Sequence, residues 1–195
     1  MAELIPLVFT SGWASGINPY LVVLLTGVAG RLGDAPVPDA FMRTDVLIAA
    51  AVLTAIDFLV DKTAYLDSTW DAVNTAIRPT AAVALSLLIS GDASTLQQAV
   101  LAALGGSTAI AAHLTKAGTR VAVNTSPEPV SNIIVSLLED VAVVVVTVLA
   151  FVAPWVAAAL ALVLLILGVV VVVVFWRAIA RYRRSRQRRR TPEEP

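Results

Sequence analysis

The sequence predicts an all-α fold, a polytopic transmembrane helical bundle, and three observations carry that prediction. First, 58% of the 195 residues are hydrophobic and only 14% are charged, with a mean hydropathy of +0.83. A soluble domain carries about 45–50% apolar and about 25% charged residues. Second, uncharged residues gather in runs of up to 36, enough to cross roughly 30 Å of bilayer hydrocarbon as helices. Third, eight Arg crowd into residues 177–190, so the tail is +6 and the rest −6 although the formal net charge is zero. The chain has no Cys, which excludes disulfides, thiolate nucleophiles and Cys metal sites. One His and two Met offer little to a transition metal, so no cofactor is expected.

About six spans follow in order. Leu4–Gly30 is uncharged for 27 residues and predicts a helix over 4–30. Asp45–Val60, interrupted by Asp57, predicts one over 44–62. Thr80–Ser90 is too short alone and borrows from Ala72–Pro79, giving 72–90. Ala93–Thr115, whose sole titratable group is His113, gives 95–115. Val141–Trp176 is too long for one helix and divides at Pro154-Trp155 into 130–153 and 155–178. Its Val169–Val174 end favours strand, but an open strand cannot satisfy its backbone in lipid. Residues 1–180 form a single transmembrane domain. Residues 181–195 form an Arg-rich cytoplasmic tail, expected to be largely disordered.

Lys and Arg in short loops set orientation. With the Arg-rich tail in the cytoplasm, Lys62, Arg78, Lys116 and Arg120 fall there too, and only Arg31 and Arg43 lie outside. The count is twelve against two, with both termini cytoplasmic in an inner (plasma) membrane. The start Met-Ala-Glu-Leu-Ile-Pro lacks the basic region of a signal peptide, so the first helix is expected to stay. Three helices per half is the arithmetic of a 3+3 inverted repeat, although the self-similarity is faint. The basic tail reads as an orientation signal and a contact for anionic lipid headgroups, not for nucleic acid.

The first run contains Gly12, Gly16, Asn18 and Pro19. Pro19 removes a donor and Asn18 can cap a new helix that begins at Pro19. The break falls about 21 Å along the helix, inside the bilayer. It is either a kink packed by small residues or a discontinuous helix whose new N-terminus faces a substrate or ion. A second break, Asn124-Thr125-Ser126-Pro127-Glu128-Pro129, has capping-box spacing between Thr125 and Glu128. A well-capped helix start explains Glu128, but not Asn132 beyond it or Lys116 and Arg120 upstream. Two cations facing a helix N-terminus make an anion site plausible.

The acids are the sharpest feature. Val141–Ala153 holds only 13 residues, so the fifth span must include Glu139-Asp140, and Asp57 likewise lies within the second. An ionised acid in hydrocarbon costs about 2.5–3.5 kcal/mol, so it faces the bundle interior and takes a partner. Candidate partners are Lys62, Arg78, Lys116 and Arg120. Of Glu139 and Asp140, one should face a cavity while the other pairs with Lys116 or Arg120. Asp57-x-x-x-Asp61 and Asp67-x-x-x-Asp71 each place two carboxylates on one helix face, where Mg²⁺ and a diphosphate could bind. Lys62 competes for that use, and no metal is specified. His113 is an interfacial residue or a proton relay, and Trp13, Trp70, Trp155 and Trp176 read as interface belts.

Several of these segments together resemble an uncharacterised bacterial multi-pass membrane family catalogued as domain of unknown function 4126. They are Ser15-Gly16-Ile17-Asn18-Pro19-Tyr20-Leu21, then Asp57-Phe58-Leu59-Val60-Asp61-Lys62 with Asp67 and Trp70. The third runs from Lys116-Ala117-Gly118-Thr119-Arg120 through Asn124–Asn132 to Glu139-Asp140. The resemblance covers residues from about 10 to 150 and implies a membrane protein whose breaks and acids form the site.

The expected function is a small secondary transporter or lipid-headgroup translocase. Asn18, Pro19, Asn124, Glu128 and Asn132 line its site. Asp57, Asp61, Glu139 and Asp140 carry protons or cations, and Arg78, Lys116 and Arg120 balance them or hold an anionic substrate. The alternatives are a phosphate-ester or isoprenoid enzyme using the Asp pairs, and a non-catalytic scaffold whose acids lock helices. A chain this short is expected to form a homo-oligomer.

Overall fold

The computed structural model describes residues 3–33, 37–63, 66–124 and 129–188, and every regular element among them is helical. Eight helices follow one another: α1 (Leu4–Ile17), α2 (Pro19–Leu32), α3 (Asp39–Met42), α4 (Thr44–Val60), α5 (Leu66–Ser90), α6 (Thr95–Asn124), α7 (Pro129–Val152) and α8 (Pro154–Arg188). Leu66–Ser90, Val130–Val152 and Pro154–Tyr182 are long and apolar enough to cross a membrane; α1 and α2 are shorter apolar helices. The Val-rich stretch is helical, as the argument from backbone satisfaction requires. Pro154 opens α8 after a one-residue gap at Ala153, and α8 continues through Arg188.

α1 is the central post. It packs against α5, α6, α7 and α8, and nine of its 14 residues are buried. Gly12 and Gly16, one turn apart, permit this. A Cβ on Gly12 would meet the Gly105 carbonyl oxygen at 2.6 Å, and one on Gly16 would meet the backbone of Ala109. Small residues let helix backbones approach closely where no hydrophobic force separates protein from lipid. The α2–α3–α4 segment forms a hairpin beside α7, and the C-terminal end of α4 carries acids into the bundle.

The outside is as apolar as the inside is polar. Only 6% of the apolar window of α8 is buried, and its Val170, Val171 and Val174 lie exposed. Conversely, the two largest fully buried side chains are Arg78 and Arg120. This is the inversion expected when lipid is the solvent.

Two expectations about tryptophan are corrected here. Trp13 is 4% exposed and belongs to the core rather than to an interface belt, because α5, α6, α7 and α8 all pack against α1. Trp70 is drawn inward by a hydrogen bond to Asp57, whereas Trp155 and Trp176 are exposed.

Candidate functional site

Four helices each turn one polar stripe inward. α4 contributes Asp57 and Asp61, and α5 contributes Asp67, Asp71, Asn74 and Arg78. α6 brings His113, Lys116, Arg120 and Asn124, and α7 brings Asn132, Ser136 and Glu139. Steps of three and four residues keep each set on one helix face.

Arg78 centres the first cluster. Its Nη1 donates to Asp71 Oδ1 at 2.8 Å and to His113 Nδ1 at 2.9 Å, and its Nη2 lies 3.5 Å from Asp57 Oδ1. Trp70 Nε1 donates to the same Asp57 oxygen at 2.6 Å. A guanidinium can only donate, so His113 Nδ1 must accept. The imidazole is therefore neutral with its proton on Nε2, which faces Thr75 Oγ1 at 3.0 Å. Asn74 accepts from the Tyr20 hydroxyl at 2.9 Å and donates to the Trp70 carbonyl, tying α2 to α5.

The second cluster gathers around Asp61. Arg120 Nη1 donates to the Asp61 carbonyl at 2.6 Å and to Asn132 Oδ1 at 2.8 Å, and Nη2 donates to Glu139 Oε2 at 2.7 Å. Lys116 Nζ donates to Asp61 Oδ2 and, at 3.2 Å, to the Ile17 carbonyl. Asn124 Nδ2 reaches both oxygens of Asp67 at 3.2 Å. At the rim, Lys62 pairs with Asp140 at 3.1 Å and sits over the Phe58 ring.

The break at Asn18-Pro19 explains one of these contacts. Asn18 is extended (φ −149°, ψ 90°), and its Oδ1 accepts from Leu21 N–H at 2.9 Å. In an unbroken helix that N–H would bond the Ile17 carbonyl, which is instead left free for Lys116. The negative end of α1 thus meets an ammonium. Asn18 caps the new N-terminus of α2, as its place before Pro19 predicted.

A cavity of about 240 Å³ opens between α1, α6, α7 and α8. Its wall is mostly aliphatic, with Trp13 and Ile17 from α1, and carries Lys116 and Glu139. Asn18 and Pro19 are not on the wall, though they end the helix that is. Glu139 both lines the cavity and pairs with Arg120, and Asp140 takes Lys62, so the expected division of labour between the two acids does not hold.

Every cation expected as a partner is engaged by a carboxylate, which balances the charges of Lys116 and Arg120, although Arg78 Nε and Arg120 Nε are buried without a hydrogen-bond partner. The Asp pairs are divided as well. Asp57 and Asp71 face Arg78, while Asp61 faces Lys116 and Arg120. Among the described residues, no three acids or imidazoles stand together as a metal-binding group. Thr125 and Glu128 lie outside the described residues.

Six carboxylates (Asp57, Asp61, Asp67, Asp71, Glu139, Asp140) therefore surround four cations (Lys62, Arg78, Lys116, Arg120), with no side chain above 17% exposed. With His113 neutral, the described network holds two more carboxylates than cations. Asp57 Oδ2, Asp61 Oδ1 and Asp71 Oδ2 are buried without a hydrogen-bond partner, as is Asn18 Nδ2. Sequence reasoning gave Asn74 no site role, gave Asp67 and Asp71 one only in the enzyme alternative, and left His113 between an interfacial residue and a proton relay. The 67, 71, 74, 78 spacing on one helix face was the signal.

The sequence pattern of the domain of unknown function DUF4126 matches residues 5–174. The chain belongs to the DUF4126 family. The match takes in the helix break, the whole charge network and most of α8 of this DUF4126 chain. No curated protein matches it, and no solved structure does.

Proposed function

We propose that this chain is a secondary transporter whose buried carboxylates bind the coupling cation, a proton or sodium. The observation that carries the reading is the excess of two carboxylates over cations in a network shielded from water. Uncompensated acids at membrane depth are costly, and two protons or bound cations would offset them. In this reading α1 and α2 form one broken span, and α4, α5, α6, α7 and α8 complete six, three in each half. α6 runs unbroken for 30 residues where the first span is divided, so an inverted repeat would be approximate. Helices interrupted at the site are a recurrent device of transporters. An anionic headgroup is a poorer cargo, because each buried cation already holds a carboxylate.

The test is proteoliposomes loaded with a pH-sensitive dye and given an outward proton gradient. Adding sodium or an ammonium ion outside should accelerate proton efflux through the wild type, and Asp57→Asn or Glu139→Gln should abolish the acceleration in protein that still melts cooperatively. Efflux equal to that of protein-free vesicles for every cation would reduce the acids to helix locks.

A further inference from the structure

We infer that the cavity between α1, α6, α7 and α8 binds a small hydrophobic organic cation, an ammonium carried on an apolar body. The volume sets the size. At about 240 Å³ it exceeds the roughly 150 Å³ of an engineered cavity that takes benzene. One ring with a short ammonium arm fits.

The wall sets the chemistry. Leu138, Leu164, Leu165 and Val171 supply aliphatic contact, and Trp13 adds an aromatic ring to the wall. Glu139 is the acid on this wall, and it is half engaged. Both of its ion pairs run through Oε2, to Arg120 at 2.7 Å and Lys116 at 4.0 Å, leaving Oε1 without a partner among the described residues. Lys116, the one described cation on the wall, is held by Asp61 and the Ile17 carbonyl with Glu139 at 4.0 Å, so carboxylates already balance its charge. Behind Glu139 stand five more carboxylates against four cations. An ammonium is the charge this cavity complements, and the apolar wall is what selects its body.

The inference rests on the transport reading only in supposing that the bound cation is carried; binding itself can be measured without flux. The full chain in phosphatidylcholine nanodiscs is titrated calorimetrically with benzyltrimethylammonium, with 3-phenylpropanol as neutral analogue and 3-phenylpropionate as anion, against empty nanodiscs. The ammonium should bind at least about tenfold tighter than either analogue, the discrimination expected of a charged hydrogen-bonding or ion-pairing group. Glu139→Gln should erase that preference while leaving the alcohol unchanged. Leu164→Trp, which fills the cavity without touching a charge, should abolish binding of all three and decides the matter if the first variant does not fold. Equal affinity for ammonium and alcohol, preference for the carboxylate, or undiminished binding to Leu164→Trp would overturn the inference. So would loss of binding in phosphatidylethanolamine nanodiscs, which would assign the site to a lipid headgroup. Sodium-driven proton flux without ammonium binding would refute this inference and leave the transport reading intact. Ammonium binding without coupled flux would do the reverse.

Discussion

Arg78 shows how much one side chain can organise. Its fork reaches Asp57 and Asp71 at once while holding His113 neutral, and none of its surface is exposed. Removing one partner of a buried ion pair strands the other, at a cost of about 3–5 kcal/mol. Arg78→Met should therefore lower thermal stability in detergent by an amount of that order. Adding Asp71→Asn should recover part of the loss by removing one stranded charge. If the double variant is no more stable than the single, Asp71 is not neutralised by Arg78. Arg78→Lys should not substitute, because an ammonium lacks the planar fork that spans two carboxylates and an imidazole. Asn18 was legible in the sequence as a cap, and it is one. Its consequence was not, because nothing in a linear pattern says which distant ammonium would find the freed Ile17 carbonyl.

Helices were legible where their hydropathy agreed with their fold. The expected 44–62 and 130–153 correspond to α4 and α7, and the division at Pro154 is where it was expected. α5 begins at Leu66, six residues before the expected 72. The reason is physical. Asp67, Asp71 and Asn74 read as a polar loop when residues are averaged, yet they form the inward face of a helix whose other faces are apolar. α8 likewise runs ten residues past the expected 178, since Arg is a good helix former and nothing there breaks the pattern. The helix contact that sequence composition hinted at most weakly is that of α1 with α6, which depends on two glycines. Gly12→Ala should lower stability by about 1–3 kcal/mol, the usual penalty of overpacking, despite alanine's higher helix propensity. A thermal melt in detergent checks the sign; a stabilised variant would mean the two backbones can part without loss.

At the scale of the whole molecule, the twelve-to-two bias of Lys and Arg predicts residues 116–124 on the cytoplasmic side. The chain has no Cys, so a Cys placed at Thr119 supplies the whole labelling signal. It should resist a membrane-impermeant maleimide in intact cells and react in inverted vesicles; labelling from outside would reverse the topology. Lys116 and Arg120 are network members that the orientation count also includes, so variants of either need this assay before any loss of flux is assigned to chemistry. The burial of α1 also has a consequence for the order of synthesis. α1 leaves the ribosome early, yet its partners in α7 and α8 are encoded more than a hundred residues later. At about 5–20 residues per second, the nascent chain holds α1 for roughly 10–30 s before α8 exists to cover it. Over that interval Thr10, Ser15 and Asn18 have no finished bundle to face. The membrane insertion machinery, rather than lipid, is the neighbour that this helix needs while the rest of the protein is made.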